Sequence, residues 1–167
     1  MPSSDPRIDI AAGPAELDAL EPLWIALHRH HRTVVPSAAM LVGDDSVSWS
    51  RRRDLYRGWV ETGDAPVLVA RRGGAPVGYA VAHLQDGPDD TFAVGARYAE
   101  LYSLSVAPEA RSGGVGTALM DTLDERLAEL GIADLSIAVM AGNEDALRFY
   151  RRRGLVPVEL VLWRVSG

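Results

Sequence analysis

The glycine-rich run Arg111-Ser112-Gly113-Gly114-Val115-Gly116 constrains this chain more than any other segment. It follows a β-rich stretch, Tyr98 to Val106, and precedes Val115, Leu119, Leu123, Leu127 and Leu130, which sit at helical spacing up to Gly131. Strand, glycine loop and long helix in that order deliver the loop's backbone N–H groups to a helix N-terminus. Unpaired donors and the helix dipole make an anion site there. Glycines at 113, 114 and 116 keep side chains out of the way of a diphosphate, Arg111 adds a charge-assisted contact, and Thr117 offers a hydroxyl and an N–H. Two familiar phosphate loops fail against these residues. The dinucleotide pattern requires glycine where Leu119 stands, and the nucleotide-triphosphate loop requires Gly-Lys-Ser/Thr.

The rest of the chain reads as alternating elements. Ile8 to Ala11 is a short strand, and Pro14 opens a helix carrying Leu17, Leu20, Trp24, Leu27, His28 and His31 to about Arg32. Asp44 or Asp45 caps a second helix, with Val47, Arg51, Leu55, Tyr56 and Trp59 on one face and a stop at Gly63. Val67 to Ala70 and Val77 to Leu84, joined through Gly73-Gly74, predict a hairpin. In the next strand Glu100, Tyr102, Leu104 and Val106 share one face, and Leu101, Ser103 and Ser105 the other. After the glycine-loop helix, Leu135, Ile137 and Val139 alternate as a strand, Asn143 to Arg153 reads as a helix ending at Gly154, and Val156 to Val165 is a last strand. With 167 residues and no linker or repeat, residues 1–167 are expected to form one α/β domain: a mixed, twisted central sheet flanked by helices on both faces.

Composition removes several chemistries. The formal net charge is -6, so a nucleic-acid partner is not expected. All 17 basic residues are Arg, which excludes Schiff-base chemistry on lysine, and the absence of Cys excludes thiol nucleophiles, disulfides and thiolate metal sites. Met1 to Ile10 lacks the basic and apolar regions of an export signal, and no apolar run approaches the ~20 residues of a membrane span, so a cytoplasmic protein without a membrane partner is expected.

The residues Val106-x-Pro108-x-x-Arg111-x-x-Gly114-x-Gly116 resemble the pyrophosphate-binding motif of the general-control-type N-acetyltransferase (GNAT) superfamily, and Asn143-x-x-Ala146-x-x-x-Tyr150 followed by Gly154-Leu155 resembles its downstream motif. The resemblance extends over most of the chain from Val67 onward. It implies transfer of acetyl from acetyl-coenzyme A to an amine of a small molecule, peptide or protein, with no metal. Arg111, Ser112, Gly113, Gly114, Val115, Gly116 and Thr117 would then hold the diphosphate. Backbone groups of Leu104, Ser105 and Val106, freed where this strand splays from the next, would meet the pantetheine arm and the acyl carbonyl. Tyr150 takes the position of the general acid for the departing thiolate, Asn143 binds cofactor or orients a water, and Glu100 or a water accepts the amine's proton. Relatives usually carry two strands after the last helix where this sequence has room for one, so a homodimer completing the sheet is an open expectation.

Other readings stand beside this one. A non-catalytic acyl-coenzyme A sensor would keep the loop, but Tyr150 and Glu100 weigh against it. A nucleotide-binding regulatory domain lacks the required lysine and glycine spacing. His28 and His31 share a helix face without a third metal ligand in evidence, so solvated or acceptor-lining roles are expected for them. Arg51 to Arg53 and Arg151 to Arg153 read as solvated helix faces, the latter with a possible reach to the 3′-phosphate of the cofactor. Trp24, Trp49, Tyr56 and Trp59 are expected mainly in the core, with one or two facing the acceptor.

Overall fold

The structure, a computed structural model, describes residues 8–166. Most of the segment read as free of an export signal therefore lies outside the described residues. Among them, no helix is long and apolar enough to cross a membrane.

Strands β1 (Ile8–Ala12), β2 (Val67–Arg72), β3 (Ala75–Asp86) and β4 (Arg97–Val106) pair antiparallel in that spatial order, and β5 (Leu135–Ser136) joins β4 in parallel. Gly73 and Gly74, at φ 57° and 82°, make the tight β2–β3 turn that requires two left-handed residues. Helices α1 (Glu21–Val34) and α2 (Asp45–Thr62) cover one face. They are fixed to β4 by the Ser105 hydroxyl donating to the Leu23 carbonyl at 3.0 Å and the Tyr56 hydroxyl donating to Ser103 at 2.6 Å. Helix α2 starts where the Asp44 carboxylate accepts from the Val47 N–H at 3.0 Å and stops at Gly63, φ 79°.

Helix α3 (Val115–Glu129) covers the other face, burying Val115, Leu119, Met120, Leu123 and Leu127 on the sheet. Helix α4 (Glu144–Arg152) lies beside it, tied by the Arg153 guanidinium to Asp121 at 2.7 Å and Asp124 at 2.9 Å. The expected α/β architecture with helices on both faces is what the chain forms.

Four local differences have physical causes. Residues Pro14–Leu20 form a 3-10 turn, and the α-helix begins only at Glu21. The face assignment in β4 breaks at Tyr102: Val81 pairs Ser103 and Ala82 pairs Leu101, so Tyr102 is an extra, bulged residue. Tyr102 and Ser103 consequently both reach Tyr56 of α2. The strand expected through Val139 pairs with β4 only at Leu135 and Ser136, because the two strands diverge beyond that point. Val156 to Val165 forms no strand: it has no ladder partner among the described residues, and its side chains are exposed.

Candidate active site

The divergence of β4 from the chain after β5 opens a cleft. Tyr102, Ser103 and Leu104 form one wall, Ile137, Ala138, Val139 and Met140 the opposite one, and Asn143, Ala146 and Tyr150 of α4 close one end, with Leu27 and His31 of α1 at the other side. Backbone groups that a regular sheet would pair across this gap are left facing it.

At the N-terminus of α3 no side chain caps the helix. Its first N–H groups therefore remain available to an anion. Ser112 and Gly114 take left-handed φ values of 62° and 77°, a backbone conformation that anion-binding nests use. A Cβ on Gly116 would meet nothing nearer than Phe149 at 3.6 Å, so packing within the chain does not require glycine there. Gly113 is more crowded, with Arg72 Nη2 at 3.0 Å and the Ala110 carbonyl at 3.2 Å from such a Cβ. Arg111, Ser112, Gly113, Gly114 and Thr117 are exposed, whereas Val115 is buried under the loop and serves as an anchor. Arg72, at the end of β2, donates to the Gly113 carbonyl at 3.4 Å and brings a second guanidinium to the loop that carries Arg111.

Tyr150 is 6 % exposed, and burial pushes its phenol well above the ordinary tyrosine range. Its hydroxyl has no hydrogen-bond partner among the described residues, so a protonated donor lines the cleft uncommitted. Asn143 accepts from the Ala146 N–H at 3.3 Å through its side-chain oxygen and is the N-cap of α4, leaving its amide nitrogen for other contacts.

The other sequence candidates separate. Leu104 lines the cleft, Ser105 is buried with its hydroxyl spent on Leu23, and the Val106 carbonyl accepts from Arg111 Nε at 3.4 Å. Glu100 lies outside the cleft lining. It accepts from Gln85 Nε2 at 2.8 Å, and the Tyr98 hydroxyl in turn donates to Gln85 at 3.0 Å.

Beyond His31 and Tyr102 the cleft meets an aromatic group. The Arg52 guanidinium lies 4.0 Å from the Trp24 ring centre and 4.6 Å from that of Tyr102. Trp59 stacks on His83 at 4.1 Å and edges Tyr102 at 4.7 Å. Trp24, Trp49 and Tyr56 are core residues; Trp59 is partly exposed. His28 stacks on Trp24 and bonds the Val42 carbonyl at 2.7 Å, which commits it to structure. His31 is held neutral down to about pH 4 by burial and by the neighbouring His30, His28 and Arg52. His31 lines the cleft, one of the two roles expected for it; Tyr102 and Ser103 were missed as cleft residues, and only the bulge in β4 brings them there together.

Comparison with known proteins points the same way. The sequence pattern of the Acetyltransferase (GNAT) family matches residues 36–155. The L-2,4-diaminobutyric acid acetyltransferase of Nocardia farcinica is 28% identical over 128 residues, covering 68% of this chain and 62% of that protein. The mycothiol acetyltransferase of Sanguibacter keddieii is 29% identical over 161 residues, covering 92% of this chain and 47% of that protein. This chain thus spans less than two thirds of the length of these relatives. A solved aminoglycoside N-acetyltransferase in complex with CoA superposes with a TM-score of 0.71 over 99% of both chains, at 14% identity, which shows a shared fold.

Proposed function

The chain belongs to the acetyltransferase (GNAT) family, and from that premise we propose that it transfers acetyl from acetyl-coenzyme A to an amine by direct attack in a ternary complex. The observation that supports this reading is an uncommitted, protonated tyrosine hydroxyl in a cleft between splayed strands, with the uncapped N-terminus of α3 beside the end of β4 and Phe149 of α4.

In this reading Arg111, Arg72 and the N–H groups from Ser112 to Thr117 hold the diphosphate. The pantetheine arm follows the backbone from Tyr102 through Leu104 toward Val106, and an N–H of this strand faces the thioester carbonyl. Loss of such a donor elsewhere costs roughly 3 to 4 kcal/mol. The amine nitrogen attacks the carbonyl carbon and its proton passes through a water to Glu100, which the Gln85 contact holds outside the cleft. As the carbon–sulfur bond breaks, the Tyr150 hydroxyl gives its proton to the departing thiolate. With no cysteine in the chain, the acetyl group goes straight to the acceptor rather than through a thioester on the protein. Trp59, Tyr102, His31 and Arg52 face the acceptor. The reaction belongs to the cytoplasm, and no metal takes part.

Thioester consumption with an amine panel headed by L-2,4-diaminobutyric acid, an aminoglycoside and a basic peptide tests the activity. Tyr150→Phe should lower kcat about 100-fold while leaving acetyl-coenzyme A affinity intact, the behaviour of a lost general acid. An equal loss of affinity would reject that role. Binding without turnover on any amine would favour the sensor reading.

A further inference from the structure

Three aromatic rings hold Arg52 of α2 beside the cleft. Its guanidinium carbon stands 4.0 Å from the ring centre of Trp24, 4.6 Å from that of Tyr102 and 5.7 Å from that of Tyr56. The rings are themselves fixed: the Trp24 indole N–H donates to the Ser48 hydroxyl at 3.1 Å, the Tyr56 hydroxyl donates to Ser103 at 2.6 Å, and Trp59 packs edge-on against Tyr102 at 4.7 Å. What this arginine lacks is an oxygen acceptor of opposite charge. Among the described residues the other half-buried arginines, Arg32, Arg53, Arg71, Arg72, Arg97 and Arg153, each meet a carboxylate or a carbonyl of the protein. Arg52 meets neither. Ring contacts steady the charge but leave the planar fork of donors able to take a carboxylate in bidentate form.

The position of Arg52 says which carboxylate that is. Tyr102 and His31 both line the cleft, and the charge of Arg52 is felt at His31, whose proton affinity it helps to lower. No residue lining the cleft carries a carboxylate, and Glu100 beyond it is engaged with Gln85. A polycationic acceptor would find no counter-charge in that lining and would be opposed by Arg52.

We propose that Arg52 determines specificity by binding a carboxylate of the acceptor, so that the substrates are small amines carrying a carboxylate, as a free amino acid or the C-terminus of a short peptide does. This rests on the acetyl-transfer reading and names the acceptor class that it leaves open. The fixed rings lower the ordering cost of the contact.

Matched pairs of amines that differ at the carboxylate test it: L-ornithine with putrescine, L-lysine with cadaverine, and glycylglycine with its C-terminal amide, the last separating a peptide terminus from a free amino acid. In the wild type the carboxylated member should have the higher kcat/KM, by about 10-fold or more. Arg52→Met, which keeps an apolar stem among the rings, should bring the ratio near one, mainly through KM, and Arg52→Lys should restore part of it as a point charge. Titration calorimetry with the same pairs, in the presence of coenzyme A, reads the preference without turnover. Acetyl transfer with no preference for the carboxylated members would overturn the proposal and leave the acetyl-transfer reading intact. So would a preference that survives Arg52→Met in a chain of unchanged far-UV circular dichroism. A binding preference lost in Arg52→Met, without turnover of any amine, would uphold the carboxylate site and reject acetyl transfer. Neither preference nor turnover would overturn both.

Discussion

At the scale of single residues, the cleft favours neutral side chains. Tyr150 is buried enough to hold its proton across the neutral range, and His31 is kept uncharged by burial and by three neighbouring basic groups. Both effects suit the proposed transfer, in which an amine enters and a thiol leaves. His31 carries a consequence for stability. Its folded value of about 4 lies below the ordinary 6.5, so between those limits the unfolded chain binds more protons than the folded one. The stabilisation it gives is present above about pH 6.5 and is lost as pH falls toward 4. The thermal midpoint of the wild type should fall through that window, and His31→Gln should flatten the decline, which calorimetry across pH would measure. Nothing in the sequence could supply these directions, because they arise from burial and from the approach of α2 to α1. Asn143 shows the same limit: the motif singled it out, yet only the fold reveals that its side-chain oxygen is spent on capping α4.

At the scale of elements, the site depends on how closely α3 approaches the sheet. A Cβ on Gly78 of β3 would stand 2.8 Å from Val115 Cγ1, 2.9 Å from the Ser105 carbonyl and 3.2 Å from Leu119 Cδ1. Gly78→Ala should therefore cost about 1–3 kcal/mol by overpacking, read from urea unfolding, and should weaken acetyl-coenzyme A binding by shifting the first turn of α3. Elements with strong local signals were legible: the capped helix α2, the Gly73-Gly74 hairpin and the leucine-spaced α3 all appear where their residues predict them. What periodicity could not give were features set by neighbours. The bulge at Tyr102 depends on pairing with Val81 and Ala82, the early end of β5 depends on the splay from β4, and the fate of Val156 to Val165 depends on whether an edge lies alongside. Gly78 was invisible for the same reason, since its need for glycine comes from α3 packed across it.

At the scale of the whole molecule, an acidic chain of net charge -6 carries Arg72 and Arg111 at the loop before the uncapped end of α3, the proposed diphosphate site. In a chain of this net charge, affinity for a diphosphate has to come from a local arrangement of donors such as this one. Thr117 offers a way to remove that affinity alone. It is exposed in the first turn of α3, where a carboxylate favours the helix through its dipole but repels a diphosphate bound to the same N–H groups. Isothermal titration with acetyl-coenzyme A, paired with the thermal midpoint of each protein, is the most direct measurement. Saturable binding by the wild type, abolished in Thr117→Glu while its thermal midpoint stays level or rises, is the predicted result. Absence of binding by the folded wild type, or undiminished binding by Thr117→Glu, would contradict the assignment of this loop as the cofactor site.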